Sequence, residues 1–308
     1  MPAATPTLAG ISIFERGWLS SNNVLLHGGS AGAVLIDASH VLHSAQTVAL
    51  VGQALGGEAL DSVVNTHLHS DHCGGNAALQ HAFGCSIAIP PGQWEAVMAW
   101  DEMALGYAST GQRCGRFVPQ SRIAPGEMLE VGPRRWQVLA APGHDPHSIV
   151  LFDANDGVLI SADALWENGF GIVFPELEGE SAFDDVASLL ELIDSLDARC
   201  VIPGHGAAFT DASAAVQRAR QRLAAFRAEP SRHARHAVKA LLKYHLLEEQ
   251  QQEWPALLAW FGSVSFYRDI WLRLGRPEGS LEAFAEHIVK QLAAAGVLAL
   301  RDGVVHNA

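Results

Sequence analysis

The chain has 308 residues, of which 49% are hydrophobic and 17% are charged, and its formal net charge is −13. This length and composition support one large domain or two ordinary ones with a sizeable core, and they exclude a wholly disordered chain. The acidic balance disfavours nucleic acid and anionic membrane surfaces as partners, because binding them requires a basic patch.

Cysteine usage and the N-terminus indicate a reducing compartment. Residues 1–6 lack the basic and apolar regions of a secretory signal, and no apolar run approaches the roughly 18 residues that span a bilayer. The four cysteines lie far apart without a Cys-x-x-Cys pair, which predicts free thiols. They are Cys73, Cys85, Cys114 and Cys200. We expect a cytoplasmic protein with no membrane segment.

Strands and helices alternate through the first two thirds of the chain. Apolar periodicity with glycine and proline punctuation predicts strands or hairpins at 22–37, 62–65, 86–89, 128–131, 136–139, 148–161 and 200–202. Helices are predicted at 39–55, 77–83 with Asn76 as the cap, 93–108 and 182–196, and a loop with two arginines at 109–116. This order indicates an α/β (α+β) protein in which two mixed sheets pack together with helices outside.

The pattern changes after residue 211. Helices are predicted at 212–228, 233–249 and 280–295, followed by a hairpin formed by 297–300 and 304–305. Three helices closed by a hairpin outline a small helical, winged-helix-like module, so we predict a catalytic domain at 1–211 and this module at 212–308. The last helix carries Glu282 and Glu286 against a single Lys290, which favours packing or homodimer formation over nucleic-acid contact.

The stretch Thr66-His67-Leu68-His69-Ser70-Asp71-His72 carries three imidazoles and one carboxylate directly after the predicted strand 62–65. Side chains of this kind repel or desolvate one another unless a cation neutralises them. On an extended or looping backbone, His67, His69 and Asp71 would point to one side and His72 to the other. This arrangement suits two adjacent metal ions.

Three further positions with metal-ligand chemistry lie at turns or strand ends. They are His144 in Pro142-Gly143-His144, Asp163 after the strand that ends near residue 161, and His205 in Gly204-His205-Gly206. Each alone is a weak signal, because a lone histidine is more often a surface or core residue. Together, and in this order along the chain, they form a strong one.

Over roughly residues 10–210 these motifs resemble the metallo-β-lactamase-fold hydrolase superfamily, with glyoxalase II-like and β-lactamase-like protein 2-like features. The resemblance implies an αββα sandwich with two metals at one edge of the sheets. It implies that one metal is held by His67, His69 and His144, the other by Asp71, His72 and His205, and that Asp163 bridges them. The family's usual Gly-His-Thr-Pro-Gly-Ser reads Gly143-His144-Asp145-Pro146-His147-Ser148 here, so His147 stands in place of a glycine.

Imidazole and carboxylate donors without thiolates favour two divalent zinc ions, and iron or manganese accept the same donors. The expected activity is that of a metal-dependent hydrolase, in which a hydroxide bridging the metals cleaves an ester, thioester or lactone. Asp71 would orient that hydroxide or accept its proton. The partner is then a small-molecule acyl substrate. The candidate walls of its pocket are Trp166, Glu167, Asn168, Phe170, Phe174, His147 and the loop 109–116.

Three alternatives remain open from the sequence. A metal-dependent ribonuclease or phosphodiesterase is favoured by the C-terminal module and disfavoured by the acidic charge. An iron persulfide dioxygenase shares the His-x-His-x-Asp-His pattern. A non-catalytic binding protein could keep the fold, although the complete ligand set argues against it.

Overall fold

A computed structural model describes residues 8–308, so the prediction about a secretory signal at residues 1–6 lies outside the described residues. The chain divides into two compact units. Among the described residues, the first comprises 8–101 and 113–225, and the second comprises 102–112 and 226–308. The two-domain division with its boundary at 211–212 stays a prediction.

The first sheet has six strands in the order in which they follow one another along the chain. They are β1 (Ile11–Phe14), β2 (Asn23–Leu26), β3 (Ala33–Ile36), β4 (Leu60–Val64), β5 (Ser86–Ile89) and β6 (Ser121–Arg122). The β1–β2 and β2–β3 pairs are antiparallel, whereas β3 to β6 run parallel. The hairpin at 22–37 is confirmed, and the strand before the histidine cluster begins at Leu60 rather than at residue 62.

The second sheet has five strands, and the last two of them along the chain form a parallel pair. Its order is β11-β10-β9-β8-β7, with β7 at Met128–Val131, β8 at Arg134–Ala140, β9 at Ile149–Asp153, β10 at Val158–Ala162 and β11 at Cys200–Pro203. All five strands were predicted from the sequence, and β8 is longer than expected at both ends.

Apolar side chains from both sheets form one core. The first sheet contributes Val24, Leu26, Val34, Ile36 and Val64, among others, and the second contributes Trp136, Val138, Ile149, Leu151, Val158 and Ile160. Alternate residues of the first sheet point the other way. These include Leu25, Leu35, Val63 and Ile87, and they are also fully buried. A sheet whose two faces are both buried must be covered by helices on the face that does not meet the other sheet.

Helices alternate with the strands along the chain. Up to residue 228 they are α1 (Ser44–Leu55), α2 (Ser70–Cys73), α3 (Asn76–Phe83), α4 (Trp94–Ala99), α5 (Tyr107–Thr110), α6 (Phe174–Glu178), α7 (Phe183–Ser195) and α8 (Ala212–Ala228). Helix α3 contacts both α1 and β5. Helix α7 buries the apolar stripe that its sequence predicts, which includes Val186, Leu190 and Ile193. The predicted αββα sandwich is confirmed.

Three local predictions were wrong. The helix expected at 93–108 ends at Ala99, because Trp100 adopts the left-handed conformation (φ 56°), and turns follow before α5, which takes in the first residues of the predicted 109–116 loop. The helix expected from residue 39 begins at Ser44, after Ser39 at φ 68°. Asn76 is the first residue of α3, and Gly75 occupies the cap position; the buried Asn76 Nδ2 donates to Asn65 Oδ1 at 2.6 Å.

The second unit adds four longer helices and a three-stranded sheet. The helices are α9 (Pro230–Glu249), α10 (Trp254–Ser263), α11 (Ser265–Arg273) and α12 (Leu281–Ala294), and the sheet order is β12 (Gln251–Glu253), β14 (Val304–Asn307), β13 (Leu298–Arg301). The sequence predicted α9, α12 and the hairpin but missed α10, α11 and β12. Within residues 8–308, no helix has the length and apolar character that a bilayer crossing requires.

Candidate metal centre

Four chain segments that are distant in sequence meet at one edge of the two sheets. The histidine cluster follows β4, His144 lies in the turn between β8 and β9, Asp163 follows β10, and His205 follows β11. Backbone hydrogen bonds fix this edge, because Ile149 N donates to Thr66 O at 2.9 Å and Gly204 N donates to Ala162 O at 2.7 Å. The structure thereby brings together all seven residues that the sequence singled out.

The first donor set consists of three imidazole nitrogens. His67 Nε2 lies 3.1 Å from His69 Nδ1, which lies 2.8 Å from His144 Nε2, and the two Nε2 atoms are 3.2 Å apart. Nitrogen ligands at 2.0–2.1 Å from a tetrahedral zinc ion are about 3.3 Å from one another. The three nitrogens therefore have nearly the separation that one shared cation requires.

The second donor set combines two carboxylates and two imidazoles, Asp71, His72, Asp163 and His205, with donor atoms within 4.8 Å of one another. Asp71 Oδ2 lies 3.0 Å from His205 Nε2 and 3.7 Å from His72 Nε2. Asp163 directs Oδ1 towards His72 Nε2 at 3.4 Å and Oδ2 towards His144 Nε2 at 3.3 Å. Asp163 thus presents one oxygen to each set.

The local backbone explains why the cluster divides in this way. Ser70 begins the short helix α2, so Asp71 and His72 leave the extended path of the residues before them. The prediction that Asp71 would point to the same side as His67 and His69, as on an extended strand, was therefore wrong. The helical turn instead directs Asp71 and His72 to the same donor set.

Asp37 holds the ring of His72, and the sequence analysis missed it. Its carboxylate accepts hydrogen bonds at 2.8 Å from His72 Nδ1, from Thr66 N and from Thr66 Oγ1. His144 is held similarly, because its Nδ1 donates to Ile172 O at 2.5 Å. Such contacts at Nδ1 leave Nε2 free for a metal. The available signal was an acid directly after β3, the parallel neighbour of β4.

Two imidazoles of the first set, those of His67 and His69, are neutral near pH 7. Burial, followed by the nearby His72, His69 and His144, puts the pKa of His67 well below its ordinary value. Burial and His144 lower the pKa of His69 to about 4. A neutral imidazole is the form that binds a metal, so no proton has to be displaced from either ring.

The second set carries an excess of negative charge. Burial would raise the pKa of Asp71 and Asp163, but His72 and His205 outweigh it, so the pKa of Asp71 falls to about 2 and that of Asp163 falls well below its usual range. Burial likewise opposes a charge on His72, yet Asp37, Asp163 and Asp71 raise its pKa well above the ordinary value. The three carboxylates of Asp37, Asp71 and Asp163 around the His72 imidazole form a negatively charged environment that favours a bound cation.

Two further observations fit a bound cation at the second set. The buried Nε2 of His72 makes no hydrogen bond to any described residue, although it faces Asp71 and Asp163. Gly204 approaches so closely that a Cβ at this position would lie 2.4 Å from Asp163 Oδ1. An unpartnered ring nitrogen beside carboxylates, with backbone packed against them, is the environment of a metal ligand.

Aromatic side chains border both donor sets. Trp166 Nε1 donates to Asp163 Oδ1 at 3.1 Å, Trp18 stacks on His205, and the ring of Phe174 lies 4.9 Å from that of His69. Phe170, in contrast, is 2% exposed, so its side chain belongs to the core and the prediction that it lines a pocket was wrong.

Asp145 and His147 replace the threonine and the glycine of the family's usual motif, and only Asp145 is shown near the first set. His147 is exposed, packs against Gly92, and is not a member of either donor set. Asp145 is buried, and its Oδ2 lies 4.0 Å from His69 Nε2. The sequence analysis did not single out Asp145. A buried acid directly after the ligand His144 was the signal available for it.

The cysteines are free thiols, as predicted. Cys73 is fully buried in α2, and its Sγ lies 3.7 Å from that of Cys114 in the predicted arginine-containing loop. Arg113 and Arg116 of that loop are both exposed. The loop therefore reaches the helix that carries Asp71 and His72.

An αββα sandwich with a three-histidine donor set and a histidine–carboxylate donor set side by side at one sheet edge defines a class of metal-binding proteins. The chain matches the metallo-beta-lactamase superfamily over residues 16–205 and belongs to that superfamily.

The relatives support this assignment. The human acyl-coenzyme A thioesterase MBLAC2 is 28% identical over 154 residues, which are 46% of this chain and 54% of that protein. The hydroxyacylglutathione hydrolase of Nitrobacter winogradskyi is 30% identical over 179 residues, or 58% of this chain and 60% of that protein. The chain thus spans little more than half the length of these relatives. A metallo-beta-lactamase family protein of Thermus thermophilus shares the fold over 98% of this chain and 99% of its own, with a TM-score of 0.58 at 20% identity.

Proposed function

We propose that this protein is a binuclear metal-dependent hydrolase that cleaves a small-molecule thioester, with esters and lactones as the neighbouring substrate classes. The observation that carries the proposal is the position of Asp163, whose two carboxylate oxygens face the two donor sets at 3.3 and 3.4 Å. A carboxylate shared in this way suits two cations held side by side.

The similar proteins favour a thioester. One is named as an acyl-coenzyme A thioesterase and another as a hydroxyacylglutathione hydrolase, and both names describe the release of an acyl group from a thiol carrier. The chain belongs to the same superfamily, and the superfamily match ends at the last of the proposed ligands, His205.

The chain's own residues divide the work. His67, His69 and His144 would hold one cation, and Asp71, His72 and His205 the other, with Asp163 between them. Two bound cations would supply a Lewis acid for the acyl oxygen and water activated near neutral pH. The Asp71 side chain is the more exposed of the two carboxylates in the second set, at 13% against 7% for Asp163. It is therefore the group placed to orient a water molecule or to accept its proton.

Zinc is the proposed metal, because imidazoles and carboxylates without thiolates suit it, and the same donors accept iron or manganese. Cytoplasmic localisation of the protein remains a prediction. The role of the second unit is also a prediction. Its winged-helix-like outline carries no basic recognition helix, which favours packing or homodimer formation over nucleic-acid contact.

The test begins with the metal content of the purified protein, measured by elemental mass spectrometry. The protein is then assayed on a panel of acyl thioesters, lactones and phosphodiesters, before and after chelation and metal return. We expect about two metal ions per chain and thioester hydrolysis that is lost on chelation and restored by zinc.

Each of three results would overturn this proposal in favour of an alternative function. Cleavage of single-stranded RNA with no thioester turnover would establish the nuclease alternative. Bound iron, with oxygen uptake on glutathione persulfide, would establish a dioxygenase. A protein that binds two metals and turns over no member of the panel would be a binding protein.

A further inference from the structure

An exposed tryptophan lies against one of the proposed metal ligands. Trp18 follows β1 and is 59% exposed, an unusual position for the largest apolar side chain. Its ring is nearly parallel to that of His205, at an interplanar angle of 12° and a centroid distance of 5.2 Å. Because more than half of Trp18 remains open to solvent, packing on His205 accounts for only part of its surface.

Trp166 meets Trp18 at an angle and completes a corner. The two rings are 5.5 Å apart with an interplanar angle of 71°, and Trp166 also meets the His205 ring edge-on at 5.5 Å. The hydrogen bond from Trp166 Nε1 to Asp163 Oδ1 fixes the indole beside the second donor set. We call Trp18 and Trp166 together the tryptophan corner.

The loop that carries Trp18 is tied to the metal centre by its backbone. Ser21 N donates to Asp71 O at 3.0 Å, and Asn22 N donates to Gly204 O at 2.6 Å. The buried Asn22 side chain also donates to Pro203 O and Gly206 O. The corner is therefore held in place before any ligand binds, which lowers the entropic cost of binding.

We propose that the tryptophan corner is the subsite for the acyl group and that it selects acyl groups that are apolar and larger than acetyl, such as those with an aromatic ring. This inference rests on the proposed hydrolase function. Two indole faces at a wide angle offer a stacking surface and an edge contact to one ring. Asp71 links the corner to the metal centre, because its side chain is 13% exposed and its Oδ2 lies 3.0 Å from Nε2 of His205, the ring on which Trp18 stacks.

The test compares two carboxylates that are the acyl products, acetate and phenylacetate, by calorimetric binding to the metal-loaded protein. Trp18→Ala should weaken phenylacetate binding roughly ten-fold, the effect of losing one aromatic contact with its buried area, and leave acetate unchanged. Trp18→Phe should keep most of the affinity. Met128→Ala, which truncates another exposed apolar side chain, 43% exposed, is the matched control and should change neither ligand.

The same variants are assayed for hydrolysis of acetyl and phenylacetyl thioesters of one thiol, with the metal content measured in each. A selective loss for phenylacetyl at unchanged metal content supports the subsite. Equal losses for both ligands, or loss of metal, would show that Trp18 only positions His205 and would overturn the proposal.

The two proposals can fail separately. Absence of thioester turnover in the wild-type protein refutes the proposed function, while the binding comparison still decides whether the corner recognises apolar carboxylates. Turnover with equal affinity of wild type and Trp18→Ala for phenylacetate refutes the subsite alone.

Discussion

His72 donates from Nδ1 to the carboxylate of Asp37 at 2.8 Å, across a sequence separation of 35 positions. Both groups are buried, and Asp37 lies at the end of β3 beside the strand that precedes His72. This hydrogen bond fixes the orientation of the imidazole, so that Nε2 faces Asp163 and Asp71.

Replacing Asp37 should weaken metal binding at the second donor set without removing a ligand. Asp37→Asn is the suitable change, because Asp37 has a positive φ of 60° that asparagine tolerates. We expect affinity for the second metal to fall about 10- to 100-fold, measured by titration with zinc. Asp61→Asn, an exposed acid on β4, makes the same charge change and should leave zinc affinity unaltered.

Replacing His69 tests the first donor set. His69→Ala removes one of three nitrogens that lie within 3.2 Å of each other, so we expect about one metal ion fewer per chain and loss of hydrolysis. Elemental analysis after dialysis, with the thioester assay, measures both. His81→Ala removes an exposed histidine of α3 and should retain metal and activity. Unchanged turnover in His69→Ala would contradict the hydrolase mechanism.

Gly204 is required by space rather than by backbone conformation. A Cβ on it would lie 2.4 Å from Asp163 Oδ1, 3.0 Å from the backbone carbon of Ala162 and 3.1 Å from His72 Cε1, so Gly204→Ala must displace the Asp163 carboxylate. We expect weaker metal binding and a destabilisation of about 1–3 kcal/mol in chemical unfolding. Gly17→Ala, where a Cβ has open space, is the control. Full metal occupancy in Gly204→Ala would show that the edge can relax.

Glu58 should make the stability of the fold depend on pH in the acid range. Burial would raise the pKa of Glu58, but hydrogen bonds from His27 and from the backbone N–H groups of Gly28 and Gly29 outweigh it and lower the pKa. A carboxyl with a lowered pKa stabilises the fold above its unfolded-state pKa, and this contribution is lost as the pH falls through the folded-state value.

Glu58→Gln should therefore be less stable than the wild type at about pH 6, and the difference should shrink below about pH 4. Urea unfolding at several pH values measures it. Glu95→Gln changes a side chain that is 91% exposed and should show no comparable difference. A difference that is constant with pH would mean that Glu58 acts through its shape rather than its charge.

Much of the fold could be predicted because its signals are local. Short apolar runs or alternation marked the strands of the second sheet, and the stripe of Val186, Leu190 and Ile193 marked α7. Predictions failed where tertiary context overrides propensity. Helix propensity continued past Ala99, but Trp100 turns to the left-handed conformation and its ring meets Phe117 edge-on at 5.7 Å.

For the site, the sequence by itself determined which residue types were available, because three histidines and an aspartate in one short stretch have few explanations other than metal binding. It also determined the order of the later positions, His144, Asp163 and His205. These signals can be recognised without a structure, since they depend only on the chemical type of the residues and on their spacing in the sequence.

Only the tertiary structure decided how those groups are oriented and what surrounds them. The roles of Asp37 and Trp18 could not be assigned from their neighbours in the sequence, because each acts on a histidine that lies far from it in the chain, His72 and His205 respectively. Contacts of this kind depend on parallel strands ending at the same edge and on loops tied across it. The physical reason is that hydrogen bonding and stacking require proximity in space, which the one-dimensional order of the residues does not specify.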